Sequence, residues 1–204
     1  MPAPLPTVTL QGRHVRLEPL SLEHHAALCA AGSDPDTFQW FPSTVAGQEP
    51  MRTFIELALS EQAAGRALPF VIRRMADDEI VGSTRFGAIE CKHARGEIGW
   101  TWLHSSARRG AINTECKLLL LAHGFEVLNF NRVELKTDAL NATSRAAILR
   151  IGATAEGIFR QHMITASGRV RDTAWFSIIK AEWPTVREHL QHKLASHPSS
   201  PAPV

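Results

Sequence analysis

The sequence predicts a mixed α/β fold in which helices cover both faces of a mostly antiparallel sheet. Several short segments alternate apolar with polar residues, as half-buried strands do, and longer segments repeat their apolar residues at helical spacing. In the middle of the chain a strand, a helix, a strand and a helix follow one another, which is the order of a parallel crossover unit. Hairpin-like strand pairs flank this unit and predict antiparallel neighbours for it.

The first half of the chain predicts four strands and two helices. Val15, Leu17 and Pro19 alternate with polar residues, which indicates the first strand. The predicted strands cover residues 14–20, 69–75, 80–89 and 96–104. The predicted helices run from a cap at Ser21 to about Ala31, and from about Glu49 to Ala64 with a stop at Gly65. The stretch 33–43 between the two helices reads as a loop.

The second half alternates helices and strands before a hairpin and a last helix. Asn141 suits a helix cap, because its side-chain carbonyl can accept a bond from a first-turn N–H, and Gly152 suits the end of that helix. Ser167 and Gly168 form the predicted hairpin turn. The predicted helices cover about 114–128, 141–151 and 183–193, and the predicted strands cover 132–137, 157–165 and 169–180.

A chain of 204 residues suits one domain. Apolar residues make up 44% and charged residues 21%, which is ordinary for a globular protein with a sizeable core. Residues 1–11 are expected to form an extended leader, and residues 12–192 a single domain. Residues 193–204 are rich in Pro, Ser and Ala, a composition typical of a disordered tail.

The composition argues against several classes of protein. The net charge of +2 is too small for a nucleic-acid-binding protein, which would need a strongly basic face. No apolar run approaches membrane-spanning length, and the first residues lack the pattern of a signal peptide, so we expect a cytoplasmic protein. The three cysteines are scattered and the histidine pairs lack a third ligand nearby, so we expect reduced thiols and no metal site.

The segment 100–125 predicts an anion site. A strand-like run ends at His104 and a helix starts near Asn113. The polar turn between them contains Arg108, Arg109 and Gly110. The first N–H groups of a helix have no partner inside the helix, and the helix dipole favours negative charge there. The turn lacks the glycine patterns of dinucleotide and nucleoside-triphosphate sites. An ordinary strand-to-helix connection with surface arginines explains this segment equally well.

Two further positions place reactive side chains near this turn. Asn141 and Ser144 stand at the start of a helix that follows a strand, where the carboxyl ends of strands open onto a cleft. Glu97 lies on the strand that leads to the anion site and, by strand alternation, shares a face with Thr101 and Leu103. A carboxylate there can act as a base. A helix cap and a salt-bridged glutamate explain the same residues at least as well.

Several segments follow one another in a distinctive order. After the basic turn come N-T-E-x-K-L-L-L, R-V-E-L-K-T-D, N-x-x-S-R-A-A-I and R-D-T-A-W-F-S-I. Together they resemble the GNAT acetyltransferases, and within that family the Rim-type branch, which is named for the amino-terminal acetylation of ribosomal proteins. The resemblance covers about residues 12–190. The runs at 113–121, 132–138 and 141–152 are specific when they occur in this order.

The resemblance implies a GNAT-like fold that binds acetyl-CoA as co-substrate. The family's pyrophosphate loop, Q/R-x-x-G-x-G/A, falls on the basic turn, whose residues are Arg108, Arg109, Gly110, Ala111, Ile112 and Asn113. Ala111 stands where the family has glycine, and a positive φ there would strain an alanine. The pantetheine arm would pair with the backbone of Trp102, Leu103 and His104. Asn141 matches the family's pantetheine-contacting asparagine.

The resemblance also implies the reaction, which is acetyl transfer to a primary amine by direct attack on the thioester. The acceptor would be a protein N-terminal α-amine or a small-molecule amine. Glu97 is the candidate base, and a backbone N–H of Trp102 or Leu103 would stabilise the oxyanion. Many members protonate the departing thiolate with a tyrosine, but this chain has none. Ser144 is the matching alternative, as a residue that positions the thiol.

The sequence also suggests candidates for the acceptor pocket and for the oligomeric state. Trp40 and Phe41 are the candidate acceptor-binding residues, and core packing explains them equally well. The family often forms dimers, so a homodimer is one assembly to test, while no nucleic-acid or membrane partner is expected. Ala111 and the missing tyrosine leave a second hypothesis open, a coenzyme A-binding or regulatory module with this fold but no turnover.

Overall fold

The computed structural model describes residues 5–196, which are arranged around an eight-stranded sheet. The strands are β1 (Leu10–Gln11), β2 (Val15–Pro19), β3 (Leu68–Arg74), β4 (Ile80–Glu90), β5 (Arg95–Leu103), β6 (Arg132–Asp138), β7 (Thr154–Ile164) and β8 (Val170–Ile179). Their order in the sheet is β1-β2-β3-β4-β5-β6-β8-β7, and β5 and β6 form the parallel pair among otherwise antiparallel neighbours. Because β8 pairs with β6, the first strand of the last hairpin lies at the edge of the sheet.

Helices cover both faces of this sheet. They are α1 (His25–Ala31), α2 (Gln48–Ala63), α3 (Ala111–Ala122), α4 (Ala142–Arg150) and α5 (Trp183–Ala195). One apolar cluster lies under α1 and α2 and includes Leu28 and Ile55. The other lies under α3, α4 and α5 and includes Leu120, Ile148 and Leu190. The predicted mixed fold, with a central parallel unit and helices on both faces, is confirmed.

Several element ends differ from the predicted ones. Helix α3 begins at Ala111 and continues as a π-helical turn over His123–Val127. Helix α5 runs to Ala195, so the predicted disordered tail begins too early at 193, because Lys, Leu and Ala are good helix formers. Leu10 and Gln11 of the predicted leader pair with β2. Residues 1–4 of that leader and 197–204 of the tail lie outside the described residues.

The parallel ladder between β5 and β6 is short. Its last paired positions are Glu97 and Glu134, although β5 continues to Leu103 and β6 to Asp138. Beyond Glu97 the two strands separate, so the backbone groups that face across the gap have no partner strand there. Such groups need other acceptors and donors, and a bound ligand can supply them.

Strand β5 contains a bulge at Trp100. Gly99 pairs with Arg85 and Trp102 pairs with Ser83, so β5 contains one residue more than β4 over this interval. Trp100 adopts a φ of 52°, in the left-handed region that non-glycine residues rarely occupy. The bulge therefore shifts the side-chain phase of β5 at the point where the strands separate.

This bulge overturns the predicted alternation along β5. Glu97 forms an ion pair with Lys136, whereas Thr101 accepts a hydrogen bond from Lys117 on α3, and Leu103 packs in the cluster under α3. Glu97 thus lies on one face of the sheet, and Thr101 and Leu103 lie on the other. The expectation of a shared face is wrong because it assumed a strand with an unbroken period of two.

A buried carboxylate holds the start of β2 against α3. Glu115 is 5% exposed, and its carboxylate accepts hydrogen bonds from the backbone N–H groups of Arg13 (2.9 Å), His14 (2.6 Å) and Val15 (2.8 Å). A Cβ on Gly12 would lie 2.4 Å from Cδ of Glu115, so a glycine is needed for this close approach. One side chain therefore satisfies successive backbone donors of a chain segment distant in sequence.

Replacing Glu115 with glutamine is expected to lower the free energy of unfolding by about 2–3 kcal/mol, because the amide NH₂ cannot accept a bond and leaves a buried N–H without a partner. Urea denaturation followed by circular dichroism measures this change. Glu188→Gln, at an exposed position of α5, is the matched control and should change stability by less than about 0.5 kcal/mol. Equal midpoints for the two variants would contradict the anchoring role of Glu115.

Candidate active site

A cleft opens where β5 and β6 separate. Its volume is about 540 Å³, and it is bounded by these strands, α3, α4, the loop before α2 and the last hairpin. The residues selected from the sequence that line it are Glu97, Trp102, Leu103, Arg108, Asn113, Asn141, Ser144, Trp40 and Phe41. His104 and the residues 109–112 lie outside this lining. Residues 109–112 form the turn and helix start between Arg108 and Asn113, at the edge of the cleft.

The turn before α3 leaves the helix N-terminus available to an anion. Gly110 is the N-cap residue with extended backbone (φ −123°, ψ −160°), and within residues 5–196 no side chain caps this helix end. Ala111 is the first helical residue, and the positive φ of this turn, 62°, falls on Arg109. The strain that a positive φ would cause at Ala111 is therefore absent. The first N–H groups of α3 and the positive end of its dipole favour negative charge here.

Arg108 and His104 are engaged by the protein itself. Arg108 donates from Nε to the carbonyl of Leu103 (2.9 Å) and from Nη2 to Oγ1 of Thr37 (2.8 Å), which ties the turn to the end of β5 and to the loop before α2. The backbone N–H of His104 donates to the carbonyl of Val81 on the β4 side (2.8 Å). Because N–H directions alternate along a strand, the N–H of Leu103 points away from β4 and toward the cleft.

The start of α4 brings the two predicted polar residues into the cleft. Oδ1 of Asn141 accepts a hydrogen bond from the N–H of Ser144 (3.0 Å), so the predicted helix cap is confirmed. In the described part of the chain, the amide nitrogen of Asn141 and the hydroxyl of Ser144 donate to no other side chain or backbone group. Both residues line the cleft, where these donors can reach a ligand.

Glu97 is a buried carboxylate at the point where the strands separate. It is 3% exposed, and its Oε2 lies 2.7 Å from Nζ of Lys136 on β6. The Lys136 ammonium in turn lies 4.9 Å from the centroid of the Trp175 ring. Burial raises the pKa of Glu97 above its ordinary value, and the ammonium of Lys136 opposes this shift. A carboxylate with a raised pKa takes a proton more readily than a surface glutamate does.

Helix α3 adds a buried lysine that the sequence analysis missed. Lys117 is 6% exposed and lines the cleft, and its Nζ donates to Oγ1 of Thr101 (2.9 Å), which lies 2.8 Å from Oγ1 of Thr84. Burial lowers the pKa of Lys117 to about 8. A single charge within the otherwise apolar run C-K-L-L-L-L is the sequence signal that points to this residue.

The loop before α2 and the last hairpin form a wall of the cleft. Trp40 is half-buried and its ring centroid lies 6.0 Å from the guanidinium of Arg169, whereas Phe41 also packs into the cluster under α2. The carbonyl of Pro42 accepts a hydrogen bond from the N–H of Ala166 (2.7 Å), so the loop and the hairpin turn are directly joined. Core packing therefore explains part of the burial of Phe41. Trp40 lines the cleft without being part of that cluster.

The hairpin supplies a second charged residue that the sequence analysis did not select. Arg171 on β8 is 5% exposed and lines the cleft. The signal that could have found it is strand alternation, because Arg169, Arg171 and Thr173 fall on one face of the predicted strand 169–180. A buried arginine such as Arg171 needs a charged environment or a ligand.

Neither a membrane span nor a metal cluster occurs in the described chain. Over residues 5–196, no helix is both long and apolar enough to cross a membrane. Over the same residues, no three His, Cys, Asp or Glu side chains are grouped so that they could hold a metal ion. The thiols of Cys29, Cys91 and Cys116 are free.

Comparison with known proteins finds acetyltransferases. The family model described as "Acetyltransferase (GNAT) domain" matches residues 14–154. The uncharacterized N-acetyltransferase p20 of Bacillus licheniformis is 29% identical over 178 residues, which are 86% of this chain and 98% of that protein. A GCN5-related N-acetyltransferase from Brucella melitensis has a TM-score of 0.84 and 32% identity, with coverage of 93% of this chain and 86% of that one. Mycobacterium smegmatis RimJ in complex with CoA-disulfide has a TM-score of 0.74 and 26% identity, with coverage of 87% and 88%.

The TM-scores show that these solved structures share the fold described above. The matched segment spans more than half of the chain and includes the turn before α3 and the start of α4. The likeness to RimJ confirms the resemblance to the Rim-type branch. The chain therefore belongs to the GNAT family of acetyltransferases.

Proposed function

We propose that this acetyltransferase transfers the acetyl group of acetyl-CoA to a primary amine by direct attack on the thioester. The observation that carries the proposal is the position of Glu97, a buried carboxylate at the point where β5 and β6 separate. The N-terminal region of α3 and the polar start of α4 line the same cleft. A base, an anion-binding helix end and unpaired backbone groups are the parts that this chemistry requires.

The coenzyme is proposed to lie across the face of the sheet covered by α3 and α4. Its pyrophosphate would accept hydrogen bonds from the N–H groups of residues 109–113, where the helix dipole adds to the attraction. Its pantetheine amides would lie beside β5 near Trp102, Leu103 and His104, although the N–H of His104 is already bonded to Val81. The free amide of Asn141 is the proposed side-chain donor to the pantetheine arm.

In the proposed reaction the neutral amine attacks the thioester carbonyl, and Glu97 takes the proton that the amine loses, directly or through a water. The N–H of Leu103, which points toward the cleft, is the proposed donor to the oxyanion, in place of the N–H of Trp102. The C–S bond then breaks and releases the thiolate. A thiol with a pKa of about 8.5 is a tolerable leaving group near neutral pH. Ser144 is proposed to position this sulfur, since the chain has no tyrosine.

The acceptor is proposed to approach from the opposite side of the sheet, past Trp40 and Phe41. Either a protein N-terminal α-amine or a small-molecule amine fits the proposal, and an α-amine asks less of the base because its pKa is only about 8. A homodimer, which the family resemblance suggests, is a further part of the proposal, and so is the cytoplasmic location expected from the composition. The alternative of a coenzyme A-binding module without turnover was based on Ala111 and on the missing tyrosine. Ala111 no longer supports it, because this residue has helical backbone.

Isothermal calorimetry with acetyl-CoA, followed by a thiol-release assay over amines and peptides, tests the proposed function. We expect saturable coenzyme binding and release of coenzyme A that depends on the acceptor. Tight binding without release for any acceptor would instead support the binding-only hypothesis. The absence of coenzyme binding would reject both the reaction and the coenzyme site.

Replacing Glu97 with glutamine is expected to lower kcat by about 10²-fold or more, because the amide cannot take the proton from the amine. Calorimetry should find an unchanged affinity for acetyl-CoA. For the unsubstituted enzyme, activity should rise with pH through a pKa above the ordinary value for glutamate, and Glu97→Gln should abolish this rise. The control Glu188→Gln should keep full activity. A variant at Glu97 with the kcat and pH profile of the original enzyme would remove Glu97 from the mechanism.

Replacing Lys117 with methionine is expected to stabilise the protein at pH 7 by up to about 3 kcal/mol, since the folded state holds this ammonium at a pKa of about 8 against about 10.4 when unfolded. The unfolded chain binds more protons between these two values, so stability rises with pH across that window in the original protein. The advantage of Lys117→Met should therefore vanish near pH 10.5. Denaturation at several pH values measures this difference in stability. Lys92→Met, at an exposed position, is the control.

A further inference from the structure

Arg171 is a buried arginine on the acceptor side of the cleft. It lies on β8 beyond the end of the β6 ladder, whose last pair joins Asp138 to Thr173. The residue is 5% exposed, and it lines the same cleft as Glu97. Burying a guanidinium is costly unless acceptors surround it, so its hydrogen-bond partners decide its role.

Within residues 5–196 the guanidinium of Arg171 makes no hydrogen bond. Its Nε is buried without an acceptor, and the nearest carboxylate oxygen, Oδ2 of Asp138, lies 3.8 Å away. An arginine has five N–H donors in a planar fork, and a distance of 3.8 Å is too long for a hydrogen bond. Burial lowers the pKa of Arg171 from its ordinary value, and the charge of Asp138 opposes this. Arg171 thus lies in the wall of the cleft, and its hydrogen-bonding capacity is unused among the described residues.

Asp138 does not need Arg171 as a partner. Its side chain is fully buried, Oδ2 accepts a short hydrogen bond from Nη2 of Arg169, and Oδ1 accepts one from the N–H of Leu140 (2.9 Å). One carboxylate thus faces two guanidinium groups, which leaves this cluster with an excess positive charge. A neighbouring charged pair on this face, Glu97 with Lys136, is neutral as a pair. The acceptor side of the cleft therefore favours a negatively charged group.

We propose that Arg171 binds a carboxylate of the acceptor, so that the acceptor is an amine that also carries a carboxylate. The proposal rests on the proposed amine acetylation. The two Nη groups of one guanidinium can face the two oxygens of a carboxylate, and a pair of this kind is both strong and directional. Glu97 and Arg171 line one cleft, so a molecule can present its amine to Glu97 while its carboxylate contacts Arg171.

An amine that also carries a carboxylate can be a free amino acid or an acidic peptide, and the experiment separates these two classes. In the first arm, phenylalanine is compared with phenylalaninamide. In the second, amidated hexapeptides that begin with Glu and with Gln are compared. In at least one arm we expect kcat/KM for the carboxylate-bearing acceptor to exceed that for its neutral match by about ten-fold or more. The arm in which this ratio appears identifies a free amino acid or an acidic peptide as the acceptor class.

Replacing Arg171 with methionine should bring this ratio to about one, through a higher KM for the carboxylate-bearing acceptor more than through kcat. Arg171→Lys should restore part of the preference, because it keeps the charge but loses the fork. The exposed Arg160→Met on β7 is the matched control and should keep the full ratio. A ratio near one in both arms, or an unchanged ratio in Arg171→Met, would overturn the proposal.

A measurement that needs no turnover separates this proposal from the proposed function. Calorimetry with N-acetylphenylalanine and with N-acetylphenylalaninamide, in the presence of coenzyme A, reports the carboxylate contact directly. If the acid binds more tightly and Arg171→Met removes the difference, Arg171 is a carboxylate site even in a protein that acetylates no tested amine. If the acid and the amide bind the original protein equally, and N-acetylated Glu and Gln hexapeptides do as well, Arg171 does not recognise a carboxylate.

Discussion

The short ladder between β5 and β6 is the constraint on which the rest of the site depends. The two parallel strands are paired as far as Glu97 and Glu134 and then diverge. A sheet normally satisfies the backbone groups of its inner strands, so an opening in its centre is stable only where other groups or a ligand take their place. Here the opening gives a cleft that reaches both faces of the sheet, with α3 and α4 on one side and the last hairpin on the other.

The cleft is stable because the sheet around it is well packed. Separate apolar clusters cover the two faces, and the carboxylate of Glu115 joins the start of β2 to α3. This packing offsets local costs of about 1–3 kcal/mol each, such as the left-handed backbone of Trp100. It also holds charged groups in surroundings of low polarity, where Glu97 and Lys117 have shifted pKa values. Rigid packing and perturbed charges thus occur together around the separated strands.

The bulge at Trp100 divides the functions of β5 between the two faces. Before the bulge, Glu97 faces Lys136 on one face of the sheet, and after it Thr101 and Leu103 face α3 on the other. An uninterrupted strand would have placed all three on one face. The protein therefore presents Glu97, the proposed base, and the proposed coenzyme-binding backbone from opposite sides of one strand, as the proposed reaction between two substrates requires.

By itself, the sequence determined the type and order of most elements, the turn before α3, the cap at Asn141 and the GNAT resemblance, because periodicity, caps and short motifs are local properties. Only the tertiary structure decided which side chains meet. It placed Thr101 and Glu97 on opposite faces of the sheet, and it gave the positive φ to Arg109 instead of Ala111. It also buried Arg171 and Lys117 in the wall of the cleft. Burial and pairing depend on chain segments far apart in sequence, and a bulge of one residue reverses a strand's pattern without a local signal.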